Sequence, residues 1–123
     1  MKRMKLQDMT VDQLVERFTQ IGLAQDEAIL YSEHAKFNRL YDMMLEVELE
    51  LKARAGDQRR ALLPLYKHPN MQVRVTAATA TLAVEPQIAR QELVGIASTK
   101  LFPQAADASS LVRGLDDGTF KPT

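Results

Sequence analysis

Residues 61–82 decide the fold and read Ala61-Leu-Leu-Pro-Leu-Tyr-Lys-His-Pro-Asn-Met-Gln-Val-Arg-Val-Thr-Ala-Ala-Thr-Ala-Thr-Leu82. This stretch predicts a short apolar helix, a polar turn and a second helix rich in small residues. Pro69 has no N–H to donate and disfavours helical geometry at His68, so the first helix is expected to end there. The side-chain oxygen of Asn70 can then cap the second helix.

The second helix is predicted from Met71 to about Val84 and is apolar on two sides. One side carries Val73, Ala77, Ala80 and Val84, and the other carries Val75, Ala78 and Leu82. A helix with two apolar faces must be covered on both. Its alanines allow neighbouring helices to approach closely, as in the inner layer of a stacked helical array.

Parts of this stretch resemble a HEAT repeat. The residues that carry the resemblance are Leu62-Leu63-Pro64-Leu65, His68-Pro69-Asn70, Val73-Arg74, Ala77-Ala78 and Leu82. Asn70 stands where that family usually has Asp. With Asn38-Arg39-Leu40-Tyr41-Asp42 upstream, the whole chain is similar to a family of short bacterial proteins, domain of unknown function two thousand and nineteen. The resemblance implies HEAT-like helices and brings no particular activity.

The composition is that of a globular chain. Its 123 residues suggest one domain, and hydrophobic residues make up 46% and charged residues 26%. The formal net charge is +0, so there is no basic excess of the kind that nucleic-acid binders usually show. Cysteine is absent, no apolar run reaches membrane-spanning length, and no signal-peptide pattern follows Met1. We expect a cytoplasmic protein without membrane contact.

The N-terminal half predicts two or three helices between a flexible tail, residues 1–8, and Gly56. Thr10 and Gln13 form a capping box that begins the first helix, and Gly22 is expected to end it. Its apolar stripe is Leu14, Val15, Phe18 and Ile21. Residues 24–55 contain no glycine or proline, and we expect a break near Phe37-Asn38, with one continuous bent helix as the alternative.

Within residues 24–55 the expected apolar positions fall in two groups. The first comprises Ala28, Ile29, Tyr31 and Ala35, and the second comprises Leu40, Met43, Met44, Leu45, Val47 and Leu51. The charged side of the second group offers the i,i+4 pairs Glu48–Lys52 and Glu50–Arg54.

The C-terminal half predicts proline-punctuated helices. Asp57 can cap the helix that contains Pro64, Pro86 suits a first helical position, and Pro103 is expected to start the last helix. Gly95 is costly inside a helix, so we expect a close neighbour there. The helix after Pro86 has the expected buried stripe Ile88, Ala89, Leu93, Ile96 and Ala97.

These patterns together predict an all-α fold. Our preferred architecture is a short right-handed α-α superhelix of the HEAT or armadillo type, with about seven helices in a single domain over residues 9–117 and a C-terminal tail over residues 118–123. An irregular helical bundle would satisfy the same stripes.

No residue pattern points to catalysis, a cofactor or a metal. His34 and His68 are far apart and lack metal-ligand spacing, and Glu46, Glu48 and Glu50 have basic residues one turn away, as on a solvated face. Glycine-rich phosphate loops and nucleophile elbows are absent from the sequence. We therefore expect no catalytic, cofactor-binding or metal-binding residues.

The most unusual polar group is the run from Asn38 to Asp42. Tyrosine and arginine are typical anchors of protein interfaces, so we interpret a set of six residues as candidate partner-binding positions. The set is Tyr31, Asn38, Arg39, Tyr41, Asp42 and Arg74. The competing interpretation gives these side chains structural roles. For Arg74 the resemblance to a HEAT repeat implies a salt bridge to an acidic group of an adjoining helix, and Asp42 is the first partner to consider.

The expected function is a non-enzymatic protein–protein interaction scaffold, with an immunity-type or regulatory protein as one example of the class. Its partner would be another protein. The alternative is a HEAT-like nucleic-acid-binding domain that uses Arg39, Arg59, Arg60 and Arg74. A steep loss of binding with added salt would favour nucleic acid.

Overall fold

The computed structural model describes residues 4–123, and this part of the chain contains five α-helices, two 3-10 helices and no strand. The elements are a first 3-10 helix (Leu6–Asp8), α1 (Val11–Leu30), α2 (His34–Ala53), a second 3-10 helix (Gln58–Lys67), α3 (Met71–Thr81), α4 (Pro86–Ser98) and α5 (Gln104–Asp117). The predicted all-α class is confirmed. Residues 1–3 of the predicted N-terminal tail lie outside the described residues.

The chain divides into two compact units, one up to Ala61 and one from Leu62. In the first unit α1 packs against α2, and the first 3-10 helix lies against α2. In the second unit α3, α4 and α5 pack against one another. The division falls inside the second 3-10 helix.

The start of α1 follows the prediction, but its end does not. The Gln13 N–H donates to Thr10 Oγ1 at 3.1 Å, and the Thr10 N–H donates to Gln13 Oε1 at 2.8 Å, which is the predicted capping box. Gly22, which was expected to end the helix, is buried in its interior. A long helix can bury a continuous face against its neighbour, and this offsets the cost of about 1 kcal/mol of one internal glycine.

The left-handed residue that ends α1 is Ser32, ten positions after Gly22. Ser32 has a left-handed φ of 55°. The Glu33 N–H donates to the Ala28 carbonyl at 2.8 Å, and the Ser32 N–H donates to the Ile29 carbonyl at 3.2 Å. These two bonds define a Schellman motif. The break between the helices is therefore at Tyr31–Glu33, and the expected break near Phe37–Asn38 is wrong because Asn38 lies inside α2.

The segment around Pro64 is a 3-10 helix of 10 residues, which is long for this conformation. Pro64 cannot donate an α-helical hydrogen bond and its ring obstructs the carbonyl four residues earlier. Asp57 precedes the segment, and its Oδ1 accepts the backbone N–H of Arg59 at 3.2 Å, in keeping with the predicted capping role. Arg59 and Leu62 of this segment are both buried.

Helix α3 is buried on nearly every side, as its small apolar residues predict. The Val73 N–H donates to Asn70 Oδ1 at 3.1 Å, so the predicted cap is confirmed. The core of the second unit is the cluster Val75, Ala78, Leu82, Ala89, Leu93, Ile96 and Ala108. α3 ends at Thr81, three residues before the expected end, and a turn leads to Pro86 at the start of α4.

Two expectations for α4 are wrong. Ile88 is exposed although the stripe placed it in the core, and a Cβ added at Gly95 would meet no atom within 4 Å. No close neighbour therefore explains this glycine. In the C-terminal tail Phe120 packs against the core of the second unit, and its N–H donates to the Gly114 carbonyl at 3.0 Å.

Candidate interaction face

One side of α2 carries exposed apolar residues next to polar ones. We define the α2 outer face as Asn38, Tyr41, Asp42, Leu45, Leu49 and Lys52, all of which are exposed. At 3.6 residues per turn these six positions fall within about 100° of one another around the helix. Tyr41, Leu45 and Leu49 are 58%, 43% and 52% exposed, so three large apolar side chains form one ridge in contact with solvent.

The opposite side of α2 supplies the core of the first unit. Met44, Val47 and Leu51 are buried there, as predicted. Leu45 was expected to widen that core stripe, and this expectation is wrong because it points to the other side. The ridge was missed because apolar residues alternate with glutamate over residues 45–51, which places apolar residues all round the helix. Periodicity alone does not show which side a neighbour covers.

Arg54 fixes the N-terminal segment beside this face. Its Nη2 donates to the carbonyl oxygens of Leu6 at 3.1 Å and Met9 at 2.8 Å, and its Nε donates to Glu50 Oε2 at 2.7 Å. The Glu50–Arg54 pair was predicted, but the bonds to the distant backbone were not. A single guanidinium thus ties the first 3-10 helix to the end of α2.

This attachment forms a shallow depression of about 630 Å³ at the end of the ridge. Its walls include Met4, Leu6, Arg17, Glu46 and Leu49. Leu49 belongs to both the depression and the α2 outer face, so the two form one continuous surface. The Nε of Arg17 is buried and has no hydrogen-bond partner in the described part of the chain.

Three of the six candidate residues lie together, and the others lie apart from them. Asn38, Tyr41 and Asp42 share the α2 outer face. Arg39 is also exposed on α2, but it points about 100° away from Asn38. Tyr31 is exposed at the connection between α1 and α2, although the sequence pattern also grouped it with apolar positions.

Arg74 belongs to the second unit and has a structural partner. Its Nη2 and Nε donate to Glu92 Oε1 at 3.0 and 3.2 Å, which joins α3 to α4. A salt bridge to an adjoining helix was predicted, but Glu92 accepts it and Asp42 does not. The sequence could not identify Glu92 because the pairing depends on how α3 and α4 pack.

Arg59 is buried and bound to two carboxylates of the first unit. Its Nη2 and Nε donate to Asp57 Oδ2 and Oδ1 at 2.7 and 3.0 Å, and its Nη1 lies 4.0 Å from Glu48 Oε1. The hydrogen bonds from Arg59 lower the pKa of Asp57, whereas burial raises the pKa of Glu48 against the opposing charges of Arg59 and Lys52. Glu48 is only partly exposed, so it does not lie on the expected solvated face. A buried guanidinium held by acids is poorly placed to bind phosphate.

The histidines show no grouping. The Asn70 N–H donates to His68 Nδ1 at 3.0 Å, so this histidine accepts a hydrogen bond within the turn before α3. Within residues 4–123 no three or more His, Cys, Asp or Glu side chains are grouped so that they could hold a metal ion. Over the same range no helix has both the length and the apolar character needed to cross a bilayer.

Similarity to other proteins identifies the family. The family described as Domain of unknown function (DUF2019) matches residues 12–116, which include parts of both units. The chain belongs to the DUF2019 family. The crystal structure of the protein RPA1889 from Rhodopseudomonas palustris CGA009 is similar to this DUF2019 protein with a TM-score of 0.95 and 51% sequence identity, covering 98% of this chain and 100% of that chain. No curated protein matches the chain.

Proposed function

We propose that this DUF2019 protein is a non-enzymatic interaction scaffold that binds another protein chain through the α2 outer face. The observation that carries the proposal is the exposed ridge of Tyr41, Leu45 and Leu49. Exposed apolar residues that form a continuous surface and are flanked by polar groups are typical of protein interaction sites. Tyrosine at the edge of such a surface is a common anchor because it combines a large apolar ring with a hydroxyl group.

The surroundings of the ridge support the same function. α2 is anchored by its buried side and by Arg54, so the ridge is presented on a rigid helix. A rigid surface loses little conformational freedom on binding, and this favours affinity. Asn38 and Asp42 at one end and Lys52 at the other supply polar groups for orientation.

The proposed scaffold contains a HEAT-like repeat and is cytoplasmic. The small-residue helix α3, packed against α4 and α5, supports a HEAT-like repeat, although a 3-10 helix stands where the first helix of that repeat is expected. The absence of cysteine is in keeping with a cytoplasmic protein. An immunity-type or regulatory protein is the class that such a binding scaffold would suit.

The proposal is tested by site-specific photo-crosslinking in living cells. A photoreactive amino acid replaces Tyr41 in one variant and Ile88, on α4, in a matched control. We expect a discrete crosslinked protein species from position 41 and none from position 88. Equal yields from the two positions, or no species from position 41, would show that the ridge is ordinary surface.

A further inference from the structure

The charges on the α2 outer face have an order along the helix axis. Asp42 lies ten positions before Lys52, a separation of about 15 Å along α2. Both side chains are exposed, and neither forms a hydrogen bond or an ion pair with another described residue. The charge of Lys52 acts on Glu48 only at longer range, where it opposes the rise in pKa that burial causes.

The apolar positions follow the same order. Leu45 and Leu49 lie two positions before and two after position 47, and Asp42 and Lys52 lie five before and five after it. Along the helix axis the order is therefore an acid (Asp42), two leucines and a base (Lys52), with position 47 at the centre. A two-fold axis perpendicular to α2 at this level would bring each element of the pattern opposite its complement in a second, antiparallel helix.

We propose that the α2 outer face is a dimer interface, in which α2 of a second copy lies antiparallel across it. Leu45 packs against the partner subunit's Leu49, and Asp42 pairs with the partner subunit's Lys52. By symmetry each contact occurs twice. This inference rests on the proposed function and names the partner at the same face.

Charge favours a second copy over a strongly charged partner. The face carries both signs, and the chain as a whole has a formal net charge of +0. Neither a highly acidic nor a highly basic protein would find a complementary surface there, because half of the charges would face like charges. A second copy matches both signs at once. One helix face is a small interface, so we expect dissociation constants in the micromolar range or weaker.

The test is sedimentation equilibrium of the full chain from about 10 μM to 1 mM, a range chosen for a small interface. We expect a monomer–dimer equilibrium that Leu45→Glu weakens at least about 100-fold, because two carboxylates would enter the apolar centre. Ile88→Glu is the matched control, since Ile88 is also 43% exposed but lies on α4. It should leave the dissociation constant unchanged, and the helical circular dichroism of both variants should match the parent.

A charge exchange tests the antiparallel register. Asp42→Lys and Lys52→Asp should each weaken the dimer about tenfold, because each places like charges opposite one another. The double variant Asp42→Lys/Lys52→Asp should return to within about threefold of the parent, since opposite charges face each other again. Failure of this rescue would overturn the antiparallel pairing.

The outcomes separate this inference from the proposed function. If the protein is a monomer at every concentration and position 41 crosslinks to a different protein, the dimer is overturned and the proposed function stands. A monomer without any crosslinked product at position 41 overturns both. A dimer that Ile88→Glu disrupts and Leu45→Glu does not would overturn the dimer interface at α2.

Discussion

Two glycines of the second unit, Gly95 and Gly114, should respond in opposite ways to substitution by alanine. Gly95 lies inside α4, where a Cβ would meet no atom within 4 Å. Alanine there neither clashes nor gains a contact, so only helix propensity changes. That change is worth about 1 kcal/mol in favour of alanine. Gly95→Ala should therefore raise the free energy of unfolding by about 1 kcal/mol and the Tm by about 4 °C.

Gly114 of α5 has the same chemistry in a closed environment. A Cβ at this position would lie 2.9 Å from the Cβ of Phe120 and 3.5 Å from Thr119 Oγ1. Phe120 cannot move away easily, because its N–H bonds to the Gly114 carbonyl and its ring packs against the core. Overpacking of this kind costs about 1–3 kcal/mol. After the gain in propensity, Gly114→Ala should lower the free energy of unfolding by about 1 kcal/mol.

Urea unfolding at 25 °C, followed by circular dichroism, measures both changes, and unchanged m-values would show that the unfolded state is not altered. A third variant isolates the cause of the second effect. In a Phe120→Gly background the clashing Cβ is gone, so Gly114→Ala should become neutral or stabilising. The reasoning is refuted if Gly95→Ala destabilises the protein, or if Gly114→Ala is equally harmful in both backgrounds.

Three further substitutions test other features of the fold. Ser32→Gly should raise the free energy of unfolding by about 1 kcal/mol in thermal or urea unfolding, because glycine adopts the left-handed φ of 55° without strain; a loss of stability would contradict this. Gln104 Nε2 donates to Gln72 Oε1 at 2.9 Å in a buried contact that joins α3 and α5. Gln104→Leu should cost about 2 kcal/mol by removing this donor, and a double-mutant cycle with Gln72→Leu should show coupling of about 1 kcal/mol, whereas additive effects would argue against it. Asp57→Asn should cost about 2 kcal/mol at pH 7 through its bonds to Arg59. Because these bonds lower the pKa of Asp57, their contribution is present above the unfolded value of about 4 and is lost as the pH falls through the lower folded value. Urea unfolding between about pH 2 and 7 should therefore show the two proteins converging in acid, and a constant difference would exclude this origin.

The α2 outer face shows how much of the candidate site could be predicted from the sequence. Asn38, Tyr41 and Asp42 are three of the six predicted candidate positions, and they lie on one side of α2 because residues three and four apart share one side of a helix. The sequence pattern predicted Leu45 in the core and gave no sign that Leu45 and Leu49 form an exposed ridge, because leucine is found both in cores and at interfaces. Only the covering of a side chain by a neighbouring element distinguishes the two, and this covering depends on contacts distant in sequence.

The sequence by itself determined the features that depend on short-range chemistry. The Thr10–Gln13 capping box, the Asn70 cap and the proline at the start of α4 each depend on residues within one helical turn. The burial of α3 also followed from its own residues, because a helix with small apolar side chains on two sides must be covered by neighbours on both.

Tertiary structure decided the helix ends and the side-chain partners for which the local sequence gave competing signals. Gly22 and Asn38 are both frequent at helix ends, yet both lie inside helices, because packing along α1 and α2 outweighs a local preference of about 1 kcal/mol or less. The partners of Arg54 and Arg74 were fixed in the same way. A guanidinium can bind any acceptor that the fold brings within reach, and sequence spacing does not show which acceptor that will be.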